Sequence, residues 1–408
     1  MFISNENVLH LPYPDGLKAI LNIASAAQSR EWLSHWQSIN MAGTRLWNLP
    51  GLAQQLGVAQ ISLKDESTRS PLGSFKALGA PIALVRLIMR RWPEHRLTAK
   101  DLFEGRHRDL LGHFTVISAT DGNHGKALAA AAQAVGCECV IVIHANVNEE
   151  RERAIARFGA RIVRTSGNYD ESVEEAARLA TKNGWNVVSD TSYEGYEDIP
   201  RDVMQGYSAI AAEVIEQSDS TVDECAFTHV FVQGGVGGLA AGIVGYLWEF
   251  HQLNRPRFIV VEPNQADCLY QSAAAGRVTK ATGSVDSLMA GLACGEASPI
   301  AWKILQAGAD YFMTVSDTAA TEAMRVAATG NACDAPLLVG ESGAAGLAGL
   351  IALLRQPAWK AEAGLNAESR VLLISTEGAT APSVYKECVG ETAESVLSRQ
   401  AAWLKRGG

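Results

Sequence analysis

An α/β fold, with mostly parallel sheets covered by helices, is what the sequence predicts, and three observations carry that prediction. From Phe114 onward, short β-branched runs alternate with alanine-rich helical runs, the pattern that folds as a parallel sheet covered on both faces. The 408 residues are 47% hydrophobic and only 19% charged, enough apolar material for a sizeable core in one large α/β body or two to three domains. No internal repeat or low-complexity linker breaks the pattern, so disorder and fibrous architecture are excluded.

The elements follow in order. FTVIS (114 to 118) precedes a helix beginning near Gly125, and ECVIVI (138 to 143) precedes one beginning near Asn148. RIVR (161 to 164) leads to a helix over 170 to 183, and NVVSD (186 to 190) to one over 201 to 217. HVFVQ (229 to 233) runs into GGVGG and a helix, while RFIVVEP, YFMTVS and RVLLIST read as later buried strands. The polar segment 91 to 112 marks a composition shift, and 192 to 200 a second hinge. A large domain is therefore expected from 1 to 88 with 193 to 408, and a smaller inserted βαβ domain from 89 to 192.

Charge narrows the partners. Lys plus Arg number 35 against 44 Asp plus Glu, a net charge of −9, and no basic run offers a footprint for nucleic acid or an anionic membrane surface. Residues 1 to 14 lack a basic stretch followed by an apolar one, so no signal peptide and a cytoplasmic location are expected. The charge-free stretch 225 to 248 holds six glycines and Gln233, which suits a strand, loop and buried helix better than a membrane span. Seven scattered cysteines lack zinc-site spacing, so no metal is expected. A disulfide between Cys268 and Cys294, which flank the segment ending in MAGLACGE, is a further expectation, against which a reducing cytoplasm argues.

Three constellations carry chemistry. In the first, Gly234, Gly235, Val236, Gly237 and Gly238 lie between a strand and a helix, where freed backbone N–H groups make an anion site suited to a phosphate. The same residues fit a dinucleotide fingerprint, Gly235-x-Gly237-x-x-Ala240, with Glu262 as the ribose-binding acid, so a nicotinamide cofactor competes. In the second, Lys64-Asp65-Glu66-Ser67-Thr68-Arg69 is followed by Gly73-Ser74-Phe75-Lys76. A lysine opening an apolar helix is expected to be desolvated, to lose its proton readily and to form a Schiff base. The third is ATDGNHG (119 to 125). Asn123 can hydrogen-bond a ring hydroxyl and Asp121 offers a carboxylate, the bland alternative being a helix cap beside a surface His124. Asp190, ending NVVSD, falls at the same sheet edge and is a candidate for pairing with a substrate ammonium, or else a turn cap.

GSFK, GNHG and GGVGG together resemble the fold type II, tryptophan-synthase β-like, pyridoxal-phosphate enzymes. KDES with FKALG, ATDGNHG, SDTSYEGYEDIP, QGGVGG, MAGLACGE and STEG resemble more closely the diaminopropionate ammonia-lyases, over roughly 60 to 380. That resemblance implies pyridoxal 5'-phosphate as cofactor, held covalently by Lys76, with Asn123 on its phenolic oxygen and Gly234 to Gly238 around its phosphate. It places Ser375, or alternatively Thr376, against the pyridine nitrogen. The reaction implied is α,β-elimination of 2,3-diaminopropionate to pyruvate and ammonia. Lys76 and Asp121 would be bases on opposite faces, so that both enantiomers react, and Asp190 would assist. A homodimer acting on a small amino acid is expected. The sequence departs from that family at Gly73-Ser74 and at Ala379 and Ala381, which leaves serine, threonine or hydroxyaspartate dehydration as the nearest alternative. A catalytically silent ligand-binding protein on the same fold is the third.

Overall fold

The structure, a computed structural model, describes residues 1–407 apart from 121, 146 and 168. Among them run eleven strands: β1 (Phe2–Ser4), β2 (Leu46–Asn48), β3 (Gln60–Asp65), β4 (Thr115–Ala119), β5 (Glu138–Ile143), β6 (Arg161–Arg164), β7 (Asn186–Val187), β8 (His229–Gln233), β9 (Arg257–Pro263), β10 (Tyr311–Val315) and β11 (Arg370–Ser375). They form a seven-stranded sheet, ordered β1-β10-β9-β8-β11-β3-β2, and a four-stranded sheet, ordered β6-β5-β4-β7. The smaller sheet is wholly parallel. In the larger, the central strands are parallel and the two edges, β1 and β2, are antiparallel.

Strands buried on both faces need continuous apolar runs, and HVFVQ of β8 is buried at all five positions. Its cover includes Gly238–His251 on one side and Ala345–Leu354 on the other, and neither helix carries a basic or acidic residue in its first turn. One apolar cluster joins Leu84 and Val85 of Ala80–Arg91 and Leu128 and Ala131 of Asn123–Val135 to Val244 and Phe258 of the larger sheet's layer. The two sheets therefore share a core.

Three details depart from the sequence expectation. The short edge strands β1 and β2 carry no β-periodicity of their own. β1 is followed at once by Asn5, whose Nδ2 donates to the carbonyls of Ala309 (2.7 Å) and Gln306 (2.9 Å). The helix expected over 201 to 217 is two, Asp198–Tyr207 and Ala209–Gln217. They meet at Ser208, whose Oγ donates to the Gly242 carbonyl at 3.1 Å. The strand expected over 186 to 190 stops at Val187, and the chain then turns, carrying Asp190 to a position where it meets Lys76.

The KDESTR run is a buried charge network. Lys64 Nζ lies 2.6 Å from Glu213 Oε2, and Arg69 bridges Glu213 (2.6 Å) and Glu66 (2.8 Å). Burial opposes the Glu213 charge, but Arg69 and Lys64 outweigh it and hold its carboxyl below the usual range.

Candidate active site

In open parallel sheets, ligands bind where loops leave the carboxyl ends of the strands. Here the loops after β4, β7, β8 and β11 converge with the Phe75-Lys76 turn on a cleft of about 1140 Å³, counting its open mouth. The turn is fixed from a distance in sequence. Gly73 adopts φ +74°, Phe75 N–H donates to the Thr376 carbonyl at 3.0 Å, and Gly378 N–H to that of Gly73 at 3.0 Å. GSFK is thereby tied to STEG across some three hundred residues of chain.

Lys76 occupies a short 3₁₀ turn, Phe75–Leu78, with its Nζ 2.6 Å from Asp190 Oδ2 and 5.0 and 5.5 Å from the ring centres of Phe75 and Tyr207. The expected readiness to lose a proton is not what this arrangement gives. Burial works against the ammonium, but Asp190 more than compensates and raises its pKa above the ordinary lysine value. Asp190 shows the mirror image: burial opposes its charge, while Lys76 and then His124 hold it well below the usual carboxylate range. Asp190 therefore pairs with Lys76 itself.

His124 is buried, not a surface residue. Its Nε2 lies 2.9 Å from the Val188 carbonyl, which can only accept, so Nε2 carries the hydrogen and Nδ1 faces Asp190 at 3.8 Å. Tyr196 also fixes this segment: its hydroxyl donates to the Val187 carbonyl (3.0 Å) and accepts from Ser189 N–H (2.9 Å), and its ring stacks on Tyr193 at 4.8 Å. Asn123 opens the helix Asn123–Val135, lines the cleft and donates through Nδ2 to Glu377 Oε2. An amide has a second N–H, so Asn123 can serve another acceptor at the same time. Asp121, the other expected base, lies outside the described residues.

The glycine loop fits a phosphate. Gly235 (φ +64°) and Gly237 (φ +95°) make the turn, and a Cβ at Gly237 would meet Leu305 Cδ1 at 3.1 Å. Gly234, Val236 and Gly238 line the cleft, and the N–H groups of Gly235 and Val236 bond no described residue, which leaves them for an anion. Glu262 does not serve a ribose. It is buried, accepting from the N–H groups of Leu269 (3.0 Å) and Tyr270 (2.7 Å) at the start of helix Cys268–Ala275, and the nicotinamide reading loses its acid. Cys268 is a thiol that donates to the Gly235 carbonyl at 3.5 Å, so the expected disulfide is not formed. Of the two hydroxyls offered for a pyridine nitrogen, Thr376 lines the cleft, whereas Ser375 is fully buried with its Oγ on the Glu377 carbonyl at 3.4 Å.

Sequence reasoning missed three groups beside these. Glu377 lines the cleft, 5% exposed, and accepts from Ser342 N–H (3.1 Å) and Thr380 Oγ1 (3.1 Å) besides Asn123. Lys126 lines the same cleft, 6% exposed, and burial, opposed by Glu377, pushes its amine down to about 8. Glu341, 1% exposed, has neither carboxylate oxygen hydrogen-bonded, and burial together with Glu377 raises its pKa. Lys126 had a signal in sequence, standing three residues after Asn123 on one helix face. Glu341 and Glu377 had none, because their proximity is tertiary.

Comparison with known proteins agrees with this geometry. The family model described as "Pyridoxal-phosphate dependent enzyme" matches residues 38–377. The diaminopropionate ammonia-lyase of Escherichia coli (strain K12) is 37% identical over 377 residues, 91% of this chain and 94% of that protein. The Salmonella typhimurium (strain LT2) enzyme of the same name is 37% identical over 383 residues, 92% and 95% of the two chains. The crystal structure of the Escherichia coli enzyme in complex with D-serine superposes with a TM-score of 0.86 at 35% identity, covering 97% of this chain and 98% of that one. By contrast, the L-threonine dehydratase of Pasteurella multocida is 27% identical over 276 residues, 66% of this chain and 44% of that protein.

Proposed function

The chain belongs to the pyridoxal-phosphate-dependent enzymes and, within them, to the diaminopropionate ammonia-lyases, and from that premise we propose that Lys76, Asp190 and Asp121 carry its reaction. The reaction is the α,β-elimination of 2,3-diaminopropionate to pyruvate and ammonia. Pyridoxal phosphate, when bound, supplies the electron sink for the electrons released at Cα. Gly234 to Gly238 would hold its phosphate and Asn123 its phenolic oxygen, while Ser375 or Thr376 would face its ring nitrogen.

The observation that carries this reading is the Lys76–Asp190 pair, 2.6 Å apart inside a cleft that the glycine loop also lines. An amine that anchors a carbonyl must be held in place, and Asp190, 2.6 Å from Nζ, is the group placed to orient it. Once displaced by the substrate amine, Lys76 Nζ takes the Cα proton on one face. Asp121 takes it on the other, which lets both enantiomers react. His124, anchored on the Val188 carbonyl through Nε2, stands beside Asp190 with Nδ1 at 3.8 Å.

The chain works as a cytoplasmic homodimer. In support, no helix among the described residues is long and apolar enough to cross a membrane. Leu9, Leu11 and Leu253 are exposed on neighbouring segments, where Trp248 Nε1 donates to the Leu11 carbonyl at 2.9 Å, and such a patch suits a self-interface. The test of the site is borohydride reduction of the yellow holoenzyme followed by peptide mapping. Cofactor fixed on the peptide containing Lys76 supports the assignment; cofactor on another lysine, or none fixed, refutes it.

A further inference from the structure

A diaminopropionate lyase must tell a β-ammonium from the hydroxyl of serine, and this needs a carboxylate in the cleft that is not already neutralised. Among the described residues two carboxylates line the cleft, Asp190 and Glu377. Asp190 lies 2.6 Å from Lys76 Nζ, the amine it orients, whereas Glu377 has no ion pair among the described residues. We propose that Glu377 receives the β-ammonium of the substrate and sets the preference for an amine over a hydroxyl at that carbon. This rests on the reaction assigned above.

The surroundings of Glu377 suit that task. Its three donors, the N–H of Ser342, Oγ1 of Thr380 and Nδ2 of Asn123, are all neutral, so they orient the carboxylate without cancelling its charge. A carboxylate has about four acceptor positions, which leaves room for a further donor. Besides Lys76, the cations on the same lining are Lys126 and Arg151; neither forms a hydrogen bond or ion pair with Glu377, and burial disfavours the charged form of Lys126. Glu341 adds a second buried acid. It stands between Gly340 and Ser342, whose N–H groups bind the Glu377 carbonyl (2.9 Å) and Oε1 (3.1 Å), and its own oxygens have no partner. A wall with one oriented, buried carboxylate and a second buried acid behind it favours a cation over a neutral hydroxyl.

The bond from Glu377 to Asn123 puts this carboxylate beside the residue assigned to the cofactor's phenolic oxygen. No proton need pass through Glu377. The Cβ–N bond breaks with its electron pair going to a nitrogen that already holds three protons, and the group leaves as ammonia.

The experiment uses the holoenzyme of the parent, Glu377→Gln and Glu377→Asp, with cofactor content read from its absorbance. For each, kcat/KM on diaminopropionate is compared with the affinity for D-serine, titrated through the cofactor spectrum. The expected result is a fall of about 10²-fold in kcat/KM for Glu377→Gln with D-serine affinity within a few-fold of the parent, and a smaller fall for Glu377→Asp. Equal losses toward both ligands, or failure of both variants to retain cofactor, would overturn the proposal, since Glu377 would then act by positioning Asn123. Unchanged kinetics would overturn it too. A parent inactive on diaminopropionate fails the reaction assignment instead.

Discussion

Lys76 holds two roles in one amine, and substitution separates its function from the rest of the site. Lys76→Ala is expected to abolish pyruvate formation while retaining part of the cofactor affinity, because the glycine loop that would hold the phosphate belongs to a different part of the chain; steady-state turnover and cofactor absorbance check this. Asp121→Asn is expected to lose ~10²–10⁴-fold on one enantiomer of diaminopropionate and to spare much of the other, as removal of a general base acting on one face requires. Equal kinetics with the parent on both enantiomers would take Asp121 out of the mechanism. Lys76, Asn123 and the glycine loop each sit in a short motif whose chemistry is local, which is why the sequence names them as candidates, and Lys76, Asn123, Gly234 and Gly238 line the cleft. The pairing of Lys76 with Asp190 was not, since the two are 114 positions apart and only the turn after β7 joins them. The protonation of Lys76 was misjudged for the same reason: burial alone pointed to a neutral amine, and the partner reversed the sign.

At the scale of elements, the buried network of Lys64, Arg69, Glu66 and Glu213 ties β3 to the helix Ala209–Gln217. Removing Glu213 leaves Lys64 charged in the interior without its carboxylate and Arg69 with Glu66 alone. Glu213→Ala is therefore expected to destabilise by about 3–5 kcal/mol, measured by denaturant unfolding of the holoenzyme. The pH dependence has a definite sign. The folded-state pKa of Glu213 is depressed below the ordinary glutamate value of 4.5, so its contribution is fully present above that value and is lost as pH falls toward about 2. Parent stability should fall through that acid window, and the Glu213 part of the fall should vanish in Glu213→Ala. Elements with strong periodicity, β4, β5, β8, β9 and β11, were readable from their β-branched runs. β1 and β2 were not, because three residues at a sheet edge carry no period and are placed by partners such as Met313 and Lys64.

For the molecule as a whole, the two sheets are joined through one apolar cluster, and the cleft opens where the loops of both converge. The homodimer is expected to show at sedimentation equilibrium as twice the 43.5 kDa chain mass, and Leu11→Glu with Leu253→Glu to shift it toward the monomer. The substrate rests on the same architecture, since the loops after β7 and β11 bring the carboxylates of Asp190 and Glu377 into one cleft. The most direct measurement is pyruvate or keto-acid formation from both diaminopropionate enantiomers, serine, threonine and hydroxyaspartate by the same holoenzyme at equal concentration. The account predicts the highest catalytic efficiency on diaminopropionate, with both enantiomers turned over. A higher efficiency on any hydroxy amino acid would contradict it.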